Sequence, residues 1–313
     1  MARIFIDGDS GTTGLEIRER LAGRTDLEIV SIARELRKDV DAKRELLAGV
    51  DVAILCLPDD AARETVRLCD ELGARAPRLL DASTAHRVAP GWVYGFAELA
   101  EGHAERIAGA ARVANPGCYA TGAIALLRPL VDAGFIDGDM ALTVNAVSGY
   151  SGGGRQMIEA YEAGEEPPFE LYALGFEHKH LPEIAAFARL SAAPLFVPSV
   201  GDFRQGMLVS IPLHLDALPG RPKAADLEGA LARHYAGAKY VRALPAPKSA
   251  RLDATALNGT DDMELYVFAN EAKRHAVLAA RLDNLGKGAS GAAVQNLALM
   301  LRALSVRTES FER

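Results

Sequence analysis

A glycine-rich turn between a short apolar strand and a helix-like segment restricts the fold of this chain more than any other feature. The run 4–6 has the pattern of a buried strand, and Gly8, Gly11 and Gly14 follow it with the spacing G-x-x-G-x-x-G. A turn placed after a strand and before a helix is typical of a loop whose backbone N–H groups hold a dinucleotide pyrophosphate. An ordinary strand-to-helix connection is the alternative. The residues expected to contact the nucleotide here are Gly8, Ser10, Gly11, Thr12, Thr13 and Gly14.

The segment that follows continues the alternation of strands and helices. Apolar runs of strand length lie at 27–33, 52–57 and 78–81, and helix-like stretches lie between them at 41–48 and 61–72. Because parallel strands need helical crossovers, this alternation predicts an α/β fold with an N-terminal Rossmann-type parallel sheet covered by helices.

The pattern changes after the turn Asn115-Pro116-Gly117. A long helix-like segment begins at Cys118, and alternating apolar and polar residues follow at 207–215, 265–269 and 276–282. This period of two predicts a mostly antiparallel sheet, so we expect the second domain to be α+β.

The C-terminal segment returns to a helical pattern. From Ser290 on, apolar residues recur at helical spacing, and we expect this terminal helix to pack back on the first domain. The chain is therefore expected to contain a first, NADP-binding domain of residues 1–117 plus about 284–313. Residues 118–283 form the expected catalytic and oligomerisation domain.

The end of the second predicted strand bears on the choice of cofactor. A site for NAD usually offers an acidic residue to the ribose hydroxyls at this point, whereas this chain has Ser31 and Arg34. A guanidinium suits the 2′-phosphate of NADP(H), which the sequence therefore favours over NAD(H). Two alternatives stay open: Arg34 is a solvated surface charge, or Glu35 is the ribose ligand.

Three cysteines without a C-x-x-C pair argue against a disulfide framework and against a cysteine-rich metal site. Cys118 follows Asn-Pro-Gly in the predicted first turn of a helix, where the helix dipole favours a thiolate. This position suits a nucleophile, and a core cysteine is the alternative. Cys56 and Cys69 lie within apolar patterns and are predicted core residues.

A histidine pair is a candidate partner for a catalytic thiol. His178 and His180 precede a predicted helix in which Pro182 suits the first or second position, and one imidazole could serve Cys118. Surface histidines or a metal fragment are the alternatives. No metal site is predicted, because no third ligand lies at suitable spacing nearby.

Two arginines and a second glycine-rich loop are candidate anion-binding groups. Arg87 and Arg155 each lie in a serine- or glycine-containing loop, where a guanidinium could hold a phosphate or a carboxylate. Surface ion pairs are the alternative. The loop 284–291 resembles a second loop-to-helix anion site, and a helix start capped by Ser290 is the alternative there.

Taken together, these features resemble the N-acetyl-gamma-glutamyl-phosphate reductase family, particularly its shorter form. The resemblance rests on VANPGCYATG at 113–122, and on the runs GDSGTTG, DASTAHR, SGYSGGGR, HKHLPE and NLGKGASGAAVQN. It covers nearly the whole chain. The run GDSG departs from the G-A-T-G of longer relatives, and it brings the carboxylate of Asp9 near the predicted pyrophosphate.

The resemblance implies that NADPH reduces N-acetyl-gamma-glutamyl phosphate to N-acetylglutamate semialdehyde and phosphate, a step of arginine biosynthesis. It implies Cys118 as the nucleophile that forms a thioester, and His178 or His180 as the acid/base, of which we favour His178. The residues that it places around the substrate are Arg87, Ser148, Gly149 and Arg155. The residues that it adds to the cofactor site are Lys287, Gly288 and Asn296.

Three other functions remain as alternatives. An aspartate-semialdehyde dehydrogenase would share the fold and the thioester route but would act on a shorter acid with a free amine. A non-catalytic NADP-binding regulator would use Cys118 and the histidines only structurally. A cysteine hydrolase would not need the glycine loop.

Charge and hydropathy limit the expected partners. Lys and Arg number 35 against 42 Asp and Glu, and the formal net charge of −7 disfavours nucleic acids and anionic membranes as partners. No apolar run reaches the roughly 18 residues of a membrane span, and no signal-peptide pattern is present, so we expect a cytoplasmic protein. The expected partner is a small-molecule acyl phosphate, and the resemblance implies a homo-oligomer.

Overall fold

The computed structural model describes residues 1–37 and 39–311, with side chains described as far as residue 302. Its chain forms two compact units. The first unit comprises Met1–Ala97, Gly102–Pro116 and Ser290–Arg313, and the second comprises Glu98–Glu101 and Gly117–Ala289. The expected boundary after residue 117 lies beside the division that precedes Gly117, and the expected return at about 284 lies before Ser290. Residues 312 and 313 of the predicted first domain lie outside the described residues.

The first unit contains a sheet of six strands that are all parallel. Its strands are β1 (Ala2–Asp7), β2 (Leu27–Val30), β3 (Val52–Leu55), β4 (Arg78–Asp81), β5 (Val93–Tyr94) and β6 (Arg112–Ala114), in the spatial order β2-β1-β3-β4-β6-β5. Its helices are α1 (Thr12–Leu21), α2 (Val40–Ala48), α3 (Asp59–Leu72), α4 (His103–Gly109) and the C-terminal helix (Gly291–Phe311). The predicted parallel sheet covered by helices is confirmed.

The strands of this sheet direct alternate side chains into two separate cores. Ile4 and Ile6 of β1 pack with apolar residues of α1, α4 and the C-terminal helix, whereas Phe5 packs with residues of α2 and α3. Leu297 and Met300 of the C-terminal helix are fully buried in the first core. Burial of such side chains contributes about 1.5–3 kcal/mol each, which explains why the chain end returns to this unit.

The strand order fixes where a ligand can bind in the first unit. β1 lies between β2 and β3. The connection from β1 to β2 therefore runs towards one edge of the sheet, and the connection from β3 to β4 runs towards the other edge. Such a switch point opens a crevice at the carboxyl ends of the strands. The loop 8–11 lies directly after β1 at this crevice.

The second unit contains a mixed sheet of seven strands in the order β11-β12-β13-β10-β7-β9-β8. Its strands are β7 (Thr143–Gly149), β8 (Phe169–Leu171), β9 (Leu195–Gly201), β10 (Met207–His214), β11 (Val241–Ala243), β12 (Met263–Asn270) and β13 (His275–Leu282). Four of the six strand pairings are antiparallel, as expected for an α+β domain. Its helices are α5 (Cys118–Asp132), α6 (Arg155–Glu162), α7 (Leu181–Ala188) and α8 (Ala224–His234).

The two faces of this sheet differ in what covers them. On one face α5 is buried along nearly its whole length, and Gly122 lets it approach the sheet where Val209 lies. The opposite face carries an open apolar cavity of about 630 Å³. Large apolar side chains on or beside that face are exposed, among them Phe169, Leu171 and Val277.

Candidate active site

The glycine loop of the first unit brings bare backbone to the crevice beside β1. Gly8 has a φ of +91°, and a Cβ there would collide with the carbonyl oxygen of Cys56. A Cβ on Gly14 would collide with the carbonyl oxygen of Gly8. Helix α1 then begins at Thr12, with Gly11 as an N-cap that has no side-chain cap hydrogen bond. The first-turn amides, including those of Thr12 and Thr13, therefore receive no side-chain cap, and their binding to a phosphate stays a prediction.

A cavity of about 450 Å³ adjoins this loop within the first unit. Gly8, Asp9 and Ser10 line it on the loop side, and Ile32 and Arg37 line it beyond the end of β2. A cavity of this size at a switch point is suited to a nucleoside.

Asp9 joins the loop to two arginines. Its carboxylate accepts a hydrogen bond from Arg18 Nη1 at 3.2 Å and from Arg37 Nη2 at 3.0 Å. Arg18 Nη1 also donates to Ser31 Oγ at 3.3 Å. Arg34 is exposed in a short 3₁₀ turn, Arg34–Leu36, and its side chain has no hydrogen bond or ion pair with the described residues. The role of Arg34 in cofactor binding stays a prediction.

Asn296 lies on the C-terminal helix and is fully buried in the first unit. Its Nδ2 donates to the carbonyl oxygen of Gly95 at 2.8 Å and to Oδ1 of Asn115 at 3.0 Å. Its own Oδ1 accepts no hydrogen bond from any described residue. A buried acceptor of this kind is costly unless a donor reaches it, so the amide oxygen is suited to a ligand N–H group.

Arg87 is held in the first unit by a loop with its own hydrogen-bond support. Its Nε donates to the carbonyl oxygen of Asn115 at 3.1 Å. The preceding residue, His86, places Nδ1 2.6 Å from the buried carboxylate of Asp81 and stacks on Trp92 with ring centroids 4.3 Å apart. The sequence run DASTAHR indicated Arg87, but it gave no sign that Asp81 and His86 fix the loop.

Cys118 is the first residue of α5, as predicted. The preceding Gly117 is the N-cap, and its N–H donates to the carboxylate of Glu183 at 3.1 Å. Glu183 is 1% exposed, and its other oxygen lies 4.0 Å from Nε2 of His180. This carboxylate therefore joins the start of α5 to the histidine segment, a role that the sequence analysis missed although Glu183 belongs to the HKHLPE run.

The two predicted histidines lie against each other and against one tyrosine. Their ring centroids are 4.6 Å apart, and the ring of Tyr119 lies 5.9 Å from that of His178 and 5.8 Å from that of His180. His180 is buried at the N-cap of α7, with Pro182 in the predicted first or second position. The structure thus places both predicted imidazoles against Tyr119, the residue that follows the predicted nucleophile in the chain.

Backbone donation fixes the tautomer of one imidazole. The N–H of His180 donates to Nδ1 of His178 at 3.1 Å. An acceptor Nδ1 carries no proton, so the neutral ring of His178 holds its proton on Nε2. His178 is partly exposed, whereas His180 is 4% exposed.

Two phenols beside the thiol stay protonated. Tyr119 donates to the carbonyl oxygen of Ser199 at 2.8 Å, and Tyr172 donates to the Tyr119 oxygen at 3.2 Å. Burial is the main cause that raises the pKa of Tyr119, and electrostatic repulsion from Tyr172 and Cys118 contributes less. Burial also raises the pKa of Tyr172. These phenols therefore act as neutral hydrogen-bonding groups near Cys118.

The glycine-rich loop after β7 is anchored by an asparagine far away in the chain. Asn284 donates to Ser151 Oγ at 2.9 Å and accepts from the N–H of Gly206 at 2.8 Å. The N–H of Gly149 donates to the carbonyl oxygen of Gly206 at 2.9 Å. Ser148 is buried just before this loop.

Arg155 begins α6 directly after this loop and is exposed. The structure therefore places Ser148, Gly149 and Arg155 at consecutive parts of one strand-loop-helix segment. Their contacts with a substrate stay a prediction.

Lys287 and Gly288 lie in a π-helical turn, Gly286–Ser290. The Lys287 ammonium is buried and forms an ion pair with Glu98 at 2.7 Å within the second unit. A Cβ on Gly288 would lie 2.9 Å from Cβ of Cys118, so the absence of a side chain there makes space beside the thiol. Cofactor binding by these two residues stays a prediction.

Among the residues that the structure describes, no group of three or more His, Cys, Asp or Glu side chains is arranged to hold a metal ion. Within those same ranges, no helix combines the length and the apolar character needed to cross a bilayer.

Comparison with sequence families and curated proteins gives consistent relatives. The semialdehyde dehydrogenase dimerisation domain family matches residues 118–284. The N-acetyl-gamma-glutamyl-phosphate reductases of Brucella ovis and Brucella anthropi are each 53% identical to this chain over 307 residues, which cover 96% of this chain and 98% of theirs.

Solved structures share the fold at low sequence identity. Aspartate semialdehyde dehydrogenase II from Vibrio cholerae, complexed with ASA, has a TM-score of 0.72 at 15% identity and covers 96% of this chain and 98% of its own. Aspartate semialdehyde dehydrogenase with NADP from Candida albicans has a TM-score of 0.68 at 14% identity and covers 98% of this chain and 100% of its own. These likenesses establish the mixed α/β fold.

Proposed function

This chain belongs to the N-acetyl-gamma-glutamyl-phosphate reductase family, and we propose that it reduces N-acetyl-gamma-glutamyl phosphate with NADPH through a thioester on Cys118. The products are N-acetylglutamate semialdehyde and inorganic phosphate, and the proposed step belongs to arginine biosynthesis. The observation that carries the proposal is the position of Cys118 at the first residue of a buried helix, beside a tyrosine that contacts two imidazoles.

The first step uses the thiolate of Cys118. Its sulfur attacks the acyl carbon, a C–S bond forms, and the C–O bond to phosphate breaks, so that inorganic phosphate leaves with the bonding pair. The dipole of α5 favours the thiolate form that this attack requires. Phosphate is a good leaving group and needs little proton transfer.

The second step reduces the thioester. NADPH, when bound, supplies a hydride to the acyl carbon. Negative charge then develops on the acyl oxygen, and the first-turn amides of α5 are suited to stabilise it, because backbone N–H groups there have no intrahelical acceptor. The neutral phenol of Tyr119 lies in the same cluster and brings no competing negative charge.

His178 is the proposed acid/base. In its protonated imidazolium form the ring donates the Nε2 proton to the acyl oxygen as the charge develops, which leaves a neutral imidazole, and the same nitrogen takes the proton back when the C–S bond breaks. The aldehyde leaves and the thiolate of Cys118 returns. His180 is the proposed positioning residue, since its backbone N–H fixes the ring of His178 and its side chain is buried beside Glu183.

The residues available for a nicotinamide cofactor fit such a ligand. The loop 8–11 and the first turn of α1 suit the pyrophosphate, and the 450 Å³ cavity suits the adenosine. The buried Asn296 Oδ1, which accepts no hydrogen bond from the described residues, suits a donor such as the carboxamide of a nicotinamide. Ser31 lies where a 2′-phosphate of NADP(H) would be expected.

Two arginines are proposed to bind the charged ends of the substrate. We assign the departing phosphate to Arg87, whose guanidinium is held by the Asn115 carbonyl oxygen, and the α-carboxylate to Arg155. Planar guanidinium groups match both anions in a bidentate manner. Ser148 and Gly149 are assigned to the same substrate site.

The test of this function is the reverse reaction. Oxidation of N-acetylglutamate semialdehyde by NADP should require inorganic phosphate or arsenate, because one of these must release the acyl group from Cys118. The measurement is NADPH formation with and without added phosphate, with unacetylated glutamate semialdehyde as the control substrate, which should be poor because it carries a charged amine. Equal rates without phosphate would contradict acyl-phosphate chemistry and indicate a hydrolytic aldehyde dehydrogenase.

The apolar sheet face of the second unit is the proposed dimer interface. The matched family is described as a dimerisation domain, and the exposed side chains of Phe169, Leu171 and Val277 line one continuous cavity on that face. An exposed apolar surface of this kind is stabilised when a second copy covers it. Sedimentation velocity should give at least twice the 33.3 kDa mass of the chain; a monomer at micromolar concentration would contradict the interface.

A further inference from the structure

We propose that Arg18 and Arg37 form the binding pair for the 2′-phosphate of the cofactor, and that the carboxylate of Asp9 is an internal anion that this phosphate replaces. The inference rests on the proposed use of NADPH. It replaces Arg34, the residue favoured by the sequence, with two arginines brought together by the fold.

Both arginines converge on one carboxylate at the edge of the nucleotide cavity. Arg18 comes from α1 and Arg37 from the segment after β2, and their nitrogens lie 3.2 Å and 3.0 Å from the two oxygens of Asp9. The Asp9 side chain is 17% exposed, whereas those of Arg18 and Arg37 are 47% and 43% exposed. Solvent and ligands can therefore reach the guanidinium groups.

The position matches the place where a 2′-phosphate would lie. Arg18 also donates to Ser31, the residue directly after β2, where the ribose of a bound dinucleotide is expected. Arg37 and Asp9 line the 450 Å³ cavity together with Ser10 of the glycine loop. The cluster thus joins the pyrophosphate loop to the ribose end of the cavity.

The charges of the cluster favour exchange of one anion for another. Two guanidinium groups and one carboxylate leave one net positive charge, whereas a phosphate monoester carries about −1.5 to −2 at pH 7. An ionised carboxylate and a phosphate are both negatively charged, and the carboxylate has no N–H or O–H to donate. Asp9 therefore repels a phosphate that approaches the same arginines. Both guanidinium groups can bind the phosphate fully only when Asp9 turns away.

Arg34 lacks this organisation. It is exposed on a 3₁₀ turn, and its side chain contacts no described residue through a hydrogen bond or ion pair. Ordering a free arginine side chain on binding costs conformational entropy, whereas Arg18 and Arg37 are already held in place. The two assignments therefore make different predictions for single substitutions.

The experiment measures the dissociation constants of NADPH and NADH without substrate, from the fluorescence of the reduced nicotinamide. Arg18→Ala and Arg37→Ala should each weaken NADPH about ten- to a hundredfold and change NADH less than about threefold. Asp9→Asn should tighten NADPH severalfold. Arg24→Ala, which removes an ion pair with Asp26 beyond the other end of α1, is the matched control and should change neither constant.

Each contrary result has a distinct meaning. Equal affinity of the wild-type protein for NADPH and NADH would contradict the proposed use of NADPH itself. Preference for NADPH that survives in the Arg18 and Arg37 variants, or that is lost in Arg34→Ala, would overturn the arginine pair. Weaker NADPH binding in Asp9→Asn would overturn the role of Asp9 as a competing anion. If the same variant selectively lost NADH binding, Asp9 would instead be a ligand of the ribose hydroxyls. NADH affinity also reports folding, since a misfolded variant loses both ligands.

Discussion

Helix α1 in the first unit and helix α5 in the second begin with nearly the same backbone. Gly11 before α1 has φ −79° and ψ 162°, and Gly117 before α5 has φ −78° and ψ 147°. Neither glycine is able to cap the helix with a side chain. Both helices therefore present first-turn N–H groups and the positive end of the helix dipole directly after a glycine.

The surroundings of the two helix starts differ. At α1 the neighbouring charges are Asp9 with two partly exposed arginines, beside an open cavity. At α5 the first residue is a thiol, the second residue, Tyr119, contacts two imidazole rings, and the buried carboxylate of Glu183 accepts a hydrogen bond from the Gly117 amide. The same glycine-capped helix start is thus suited to anion binding at α1 and to nucleophilic catalysis at α5.

The largest expected effect comes from removing the group that distinguishes α5. Cys118→Ser should lower turnover to background, because a serine hydroxyl at this position is not ionised and forms no thioester. NADPH affinity should stay unchanged, since the start of α1 is intact. Steady-state reduction of the acyl phosphate and direct NADPH binding are the two measurements; turnover above about a hundredth of wild type would contradict the assignment.

Alkylation provides the matched control, because the other two cysteines are held as thiols. Burial, with a smaller effect of nearby carboxylates, raises the pKa of Cys56 to about 12, and burial raises that of Cys69 to about 11. A raised pKa leaves both in the unreactive protonated form at pH 8. Iodoacetamide should therefore modify Cys118 first, as measured by peptide mass spectrometry, and equal modification of all three would show that Cys118 has no special environment.

The features that could be predicted from the sequence are those encoded by neighbouring residues. The strand-glycine-helix pattern at β1 and α1, and the Asn-Pro-Gly-Cys start of α5, are local, and both lie where the sequence placed them. The family resemblance rested on such local runs and is confirmed by relatives that match almost the whole chain.

Contacts between distant residues could not be predicted in this way. Asp9 and Arg37 are 28 residues apart, Gly117 and Glu183 are 66 apart, and Ser151 and Asn284 are 133 apart. Only the folded sheet order brings these pairs together. The sequence favours Arg34 because it follows a strand, whereas in the structure the two arginines held by a carboxylate are Arg18 and Arg37.

Strand β9, which lies beside the edge strand β8, is an element that the sequence analysis did not predict. Its sequence contains Pro198, and proline removes a donor from the ladder, which argues against a strand inside a sheet. In the structure β8 is only three residues long and pairs with residues 199–201 of β9. Pro198 lies just beyond that pairing. Its carbonyl oxygen accepts a hydrogen bond from the N–H of Tyr172 at 3.2 Å, but it has no N–H to return the bond, so the missing donor falls where the pairing with β8 ends.

The smaller expected effect separates the two imidazoles at α5, for which α1 has no counterpart. His178→Asn should lower kcat about 10²–10⁴-fold, the usual contribution of a general acid/base, whereas His180→Asn should act mainly on KM. The reason is that Nε2 of His178 carries the transferable proton, while His180 is buried and donates its backbone N–H to that ring. Because Asn cannot ionise, the His178 variant should also lose one limb of the pH dependence of kcat, and the His180 variant should keep it.

His214→Asn, at an exposed position on β10, is the matched control and should change neither constant. If the His180 variant alone lost the pH limb and the larger part of kcat, the roles of the two histidines would be exchanged.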